Sequence, residues 1–138
     1  MIKNLLCGLT LEERLERART YRAKGYNCAQ CVAIAFPDIT GMEDESVLKT
    51  AIGLGGGCGC GEICGVLSSM ALLRGMMCEG AATDKAAVYA DTRSLKDDFS
   101  KRFGSIICRE LKAPGKPIPC NDLIYTGVEI FHNFIENA

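Results

Sequence analysis

The sequence predicts an all-α protein, a compact single-domain bundle of about five to six helices with a Gly/Cys-rich loop before the central helix. Three observations carry this. Apolar residues recur at three- and four-residue spacing through most of the 138 residues. Strand-like alternation is nearly absent. The helical stretches also end at Gly or Pro and begin at residues that cap helices.

Residues 1–9 are expected to be a loose N-terminus carrying Cys7. Thr10-Leu11-Glu12-Glu13 is a capping-box start, and Leu11, Leu15, Ala18 and Tyr21 recur at helical spacing until Gly25 stops the helix. Its polar face, with Arg14, Arg17, Arg19, Arg22 and Lys24, reads as solvated. Asn27 caps a second helix from Cys28 to Phe36, which Pro37 ends. A third, over 43–52, carries acidic residues in its first turn. Residues 53–61, Gly-Leu-Gly-Gly-Gly-Cys-Gly-Cys-Gly, suit neither helix nor strand. Ile63, Val66, Leu67, Met70, Ala71 and Leu73 make 62–77 the central buried helix. A long amphipathic helix spans 83–103 and a short one 105–112, and the Pro-rich stretch 113–119 is a rigid connection. The last helix, 121–137, has Leu123, Ile124, Val128, Phe131 and Ile135 on one face, which suits either its own core or a homodimer.

Apolar residues make up 48% and charged residues 24%, which excludes wholesale disorder. Sixteen Lys+Arg against 17 Asp+Glu leave a net charge of -1, so neither a basic nucleic-acid-binding domain nor an acidic tail is expected. The apolar stretch near the N-terminus is too short for a signal peptide, and residues 63–78 are too short and too interrupted to span a bilayer. A cytoplasmic protein without membrane insertion is therefore expected. The unusual quantity is nine Cys beside a single His. In a reducing compartment such a count points to redox work or metal binding rather than to structural disulfides.

Cys28 and Cys31 form a CxxC in the first turn of a helix, on one face, where unpaired N–H groups and the helix dipole favour the reactive thiolate. The same argument applies to Cys64 at the start of the central helix and to Cys120 at the start of the last. Cys58 and Cys60 lie in the glycine-rich loop, where backbone and sulfur can approach closely. Cys108 and Cys120 are near enough in sequence to meet. Cys78 falls roughly 21 Å along the central helix from Cys64 and reads, like Cys7, as a small hydrophobe or stray thiol. His132 reads as part of a solvated face, and no phosphate-binding or dinucleotide-binding glycine motif is present.

Taken together, Gly25-Tyr26-Asn27-Cys28-Ala29-Gln30, Gly55-Gly56-Gly57, Glu62-Ile63-Cys64-Gly65, Cys108-Arg109-Glu110-Leu111 and Cys120 resemble the C_GCAxxG_C_C family of redox-active proteins, over about residues 12–125. The resemblance implies a small, soluble bacterial protein whose four characteristic cysteines correspond to Cys28, Cys64, Cys108 and Cys120. The family's Cys-Gly-Ala-x-x-Gly reads Cys64-Gly65-Val66-Leu67-Ser68-Ser69 here, so the Ala and the last Gly are replaced. Cys31, Cys58 and Cys60 are additional thiols. A partial match of Glu16, Cys28 and Cys31 to alkylhydroperoxidase-type proteins lacks their His, since Ala35 stands in its place.

Three functions follow. The first is thiol–disulfide chemistry, as in a thiol–disulfide oxidoreductase, with Cys28 or Cys64 attacking, Cys31, Cys108 or Cys120 resolving, and a redox partner protein supplying the disulfide. The second is a Zn or iron–sulfur site drawn from Cys28, Cys31, Cys58, Cys60 and Cys64, with Cys108 and Cys120 as further ligands. The third is a non-catalytic helical interaction module with buried cysteines.

Overall fold

The computed structural model describes residues 8–138, so the expectations for residues 1–7, Cys7 included, lie outside the described residues. The elements are α1 (Leu11–Ala23), α2 (Cys28–Ile34), α3 (Pro37–Thr40), α4 (Asp44–Ala51), α5 (Gly65–Met76), α6 (Lys85–Phe103), α7 (Cys108–Leu111) and α8 (Cys120–Glu136). A 3-10 turn (Ile52–Leu54) and a wide turn with left-handed backbone (Gly57–Gly61) occupy the glycine-rich loop. The all-α class predicted from the sequence is what the chain forms. Among the described residues no helix is long and apolar enough to cross a membrane.

Helix α2 lies at the centre, against α1, α4, α5 and α8. It has only seven residues, and every one except Cys28 is buried. So short a helix is not stable alone. Here Asn27 accepts from the Gln30 N–H while the Gln30 side chain accepts from the Asn27 N–H, a reciprocal cap. Gln30 also donates to the Leu48 carbonyl on α4. From α5, the buried Ser69 hydroxyl donates to the Ala29 carbonyl at 2.6 Å. Ser69 thus fills the position of the family's last Gly with a hydrogen bond. Val66, at the Ala position, is accommodated by Gly127 on α8, whose Cβ, if present, would lie 2.2 Å from Val66 Cγ1. The predicted apolar face of α8 is buried in the chain's own core.

Some boundaries differ from expectation. Pro37 ends α2 but also starts a turn of its own, because its fixed φ and missing N–H suit a first helical position. The predicted helices over 62–77 and 105–112 both begin three residues late. Residues 62–64 and 106–108 instead pair with one another, through an antiparallel bridge between Ile63 and Ile107.

The solvated reading of Arg14 and His132 is corrected. Arg14 is 1% exposed. Its guanidinium makes two 2.7 Å bonds to the Asp38 carboxylate, donates to the Ala35 carbonyl, and lies 4.4 Å over the Phe36 ring. Its Nε donates to His132 Nδ1 at 3.1 Å, which requires a neutral imidazole. Burial, and then the Arg14 charge, push the His132 pKa below its ordinary value, against a weaker pull from Glu136 and Asp38. The unfolded chain therefore binds the proton more readily. Stability is expected to be full above the unfolded value of about 6.5 and to fall as pH drops through the lowered folded value. Urea midpoints of wild type and His132→Asn, which keeps an acceptor for Arg14, measured between these limits, check this; the variant's curve should be flatter.

Candidate functional site

The bridge between Ile63 and Ile107 builds the site. Cys64 N–H donates to the Ile106 carbonyl at 2.7 Å, and Cys108 N–H donates to the Glu62 carbonyl at 2.6 Å. Cys64 and Cys108 flank the paired isoleucines, so both side chains leave the face opposite to theirs. Each also sits at a helix start: Cys64 caps α5, and Cys108 is the first residue of α7. Cys120 is the first residue of α8.

Cys28, the first residue of α2, reaches this place from the other side. A Cβ on Gly65 would lie 2.9 Å from Cys28 Sγ, 2.8 Å from the Leu54 carbonyl oxygen and 3.2 Å from Ala29 Cβ. Only glycine lets the Cys28 sulfur rest against the start of α5. The electrostatics report the same convergence. A negative charge on Cys28 raises the pKa of Cys31, Cys64 and Cys108, and one on Cys120 raises that of Cys108. The four cysteines singled out by the family resemblance are thus brought to one locality by four separate segments.

Their environments are unequal. Cys64 is 3% exposed, and burial pushes its thiol up to about 11. The N–H groups of Val66 and Leu67 face its sulfur, short of a capping bond, and pull the other way without prevailing. The helix-start argument for an activated Cys64 is therefore outweighed by desolvation. Cys31 is fully buried, its thiol donates to the Tyr26 carbonyl at 3.5 Å, and burial pushes it to about 11 as well. Burial, then Cys28 and Cys120, also raise Cys108 above the ordinary range. Cys28, Cys108 and Cys120 are half-buried.

The glycine-rich turn covers Cys108. Gly57, at φ +63, would place a Cβ 2.4 Å from the Glu62 nitrogen and 3.0 Å from Cys108 Cβ, so both the backbone angle and the space demand glycine. Arg109 holds the far end of the turn, donating to the Gly61 carbonyl at 3.1 Å and to Glu62 at 2.8 Å. Between these points Cys58 and Cys60 are exposed. Cys58 adopts φ 58, ψ 35, a left-handed conformation roughly 1–2 kcal/mol unfavourable for a residue with a Cβ. Cys60 Sγ folds back to donate to the Cys58 carbonyl at 3.1 Å.

All eight described cysteines are free thiols. Among the described residues, no group of three or more His, Cys, Asp or Glu is arranged to hold a metal ion. Of the set Cys28, Cys31, Cys58, Cys60 and Cys64 of the metal reading, Cys58 and Cys60 are exposed, Cys28 is half-buried, and Cys31 and Cys64 are buried. Cys78 lies beyond the opposite end of α5, beside Arg74, in a cleft of about 410 Å³ apart from the others. Arg109 and the bridging isoleucines were not recognised from the sequence. The sequence marked them only by their place in the resembling segments, Ile63 in Glu62-Ile63-Cys64-Gly65 and Arg109 in Cys108-Arg109-Glu110-Leu111.

A family model described as "Putative redox-active protein (C_GCAxxG_C_C)" matches residues 26–134. Nothing among the curated proteins or the solved structures matches the chain.

Proposed function

Because the chain belongs to the C_GCAxxG_C_C family of redox-active proteins, we propose that it performs thiol–disulfide exchange through Cys28 and Cys108. The convergence of Cys28, Cys64, Cys108 and Cys120 supports this reading. Cys28 thiolate attacks one sulfur of an external disulfide, forming a mixed disulfide and releasing the other sulfur as a thiolate that takes up a proton. Cys108 thiolate then attacks Cys28 Sγ, forming the Cys28–Cys108 bond and releasing the second substrate thiol. Two electrons pass from the protein to the substrate. The high thiol pKa and burial of Cys64 and Cys31 make them poor attackers at neutral pH. Their place is to line the site.

Thiol mapping tests the proposal. Anaerobically purified protein is treated with oxidised glutathione, then alkylated with and without reductant and with and without chelator. The expected result is protection of Cys28 and Cys108 that reductant alone releases. In Cys108→Ser, Cys28 should instead accumulate as a stable glutathione mixed disulfide. Protection lost only with chelator would move the function to metal binding. Uniform reactivity of all four cysteines under every condition would leave a non-catalytic helical module.

A further inference from the structure

We propose that Cys58 and Cys60 form a surface dithiol through which electrons enter the site and reset it. The inference rests on the Cys28–Cys108 reading above and adds the donor side of its cycle. Four observations lead to it. Cys58 and Cys60 are the only exposed thiols among the described residues. They share one tight turn, with Cys60 Sγ folded onto the Cys58 carbonyl. Cys58 holds a left-handed backbone where glycine would do so freely, in a segment that uses glycine at residues 55, 56, 57, 59 and 61. The turn is also fixed over the inner cysteines, because Gly57, next to Cys58, lies directly against Cys108 Cβ and Arg109 pins the other end.

The chemistry balances without further reagents until the last step. Cys58 thiolate attacks Cys108 Sγ of the Cys28–Cys108 disulfide, and Cys28 leaves as a thiolate and takes a proton. Cys60 thiolate then attacks Cys58 Sγ, forming the Cys58–Cys60 disulfide and releasing Cys108. The inner dithiol is restored, and two electrons have moved inward. The outer disulfide closes a small ring and stands in solvent, the features of a readily reduced bond. An external thiol reduces it, becoming a disulfide itself. The electron donor class is therefore a thiol reductant that need reach only the protein surface.

The test follows re-reduction. Oxidised wild-type protein is mixed with reduced glutathione, quenched by alkylation at intervals and cleaved after Glu. Fragment 46–62 carries Cys58 and Cys60, 17–43 carries Cys28 and Cys31, and 80–110 carries Cys108. In wild type, a form of fragment 46–62 that carries no alkyl group and is two hydrogens lighter than the unmodified dithiol peptide should appear transiently while Cys28 and Cys108 are recovered. In Cys58→Ser/Cys60→Ser, recovery should slow about tenfold or more, since an intramolecular dithiol is replaced by a bimolecular one. Oxidation of Cys28 should be unchanged. Cys60→Ser alone should trap fragments 46–62 and 80–110 joined by a Cys58–Cys108 disulfide. Equal recovery rates in wild type and the double variant, or no such cross-link in Cys60→Ser, would overturn the relay and leave the inner pair standing. Failure of wild type to form the Cys28–Cys108 disulfide at all would overturn the inner reading and the relay with it.

Discussion

Replacing Arg14 with methionine is expected to lower unfolding free energy by about 3–5 kcal/mol, the cost typical of leaving one member of a buried ion pair without its partner. Arg14 and Asp38 side chains are 2% and 7% exposed. Methionine roughly matches the apolar stem but leaves the Asp38 carboxylate in the interior without its two charge-assisted bonds. The Ala35 carbonyl and His132 Nδ1 lose a donor in the same step. Urea unfolding at neutral pH measures the loss. A companion Asp38→Asn variant, which retains an acceptor but not the charge, should lose less. A loss in Arg14→Met no larger than that of a surface substitution, within about 0.5 kcal/mol, would show that the network does not hold α1 to α3 and α8.

Gly65→Ala is expected to cost about 1–3 kcal/mol, the usual penalty of forcing an extra carbon into a packed interior. The new Cβ meets the Leu54 carbonyl oxygen, which belongs to backbone, and the Cys28 sulfur, both under 3 Å. Alanine's better helix propensity offsets less than about 1 kcal/mol of this. The displaced Cys28 thiol should also alkylate faster than in wild type. A double-mutant cycle with Cys28→Ala separates the sulfur's share from that of the Leu54 carbonyl. If Gly65→Ala leaves both stability and Cys28 reactivity unchanged, the sulfur does not rest against α5 as described.

What the sequence revealed was largely local. Thr10 with Glu13, and Asn27 ahead of Cys28, mark the starts of α1 and α2 because a cap and its partner lie within one turn. The apolar spacing of α8 likewise names its buried face. Arg14 was illegible because it stands among three other arginines on the same helix. Its partners are 24 residues away at Asp38 and 118 away at His132, and no local pattern distinguishes it from Arg17 or Arg19. The late starts of α5 and α7 have a similar origin. Residues 62–64 and 106–108 can each continue a helix, and only their mutual pairing over more than forty residues makes them extended. The cysteines were visible as candidates one by one. The sequence could not say that Cys58 and Cys60 face solvent while Cys31 and Cys64 face the core.

The bridge that joins Ile63 to Ile107 also sets an order of events during synthesis. Cys28 and Cys64 lie in the first half of the chain, Cys108 and Cys120 near its end, with the 19 residues of α6 between. A ribosome-bound chain that has just completed α5 holds two of the four inner thiols and neither of the other two. The partner strand of the bridge arrives only after α6 has emerged, and contacts so distant in sequence form late. The four inner thiols are therefore brought together only once α7 and the start of α8 have been made, late in synthesis.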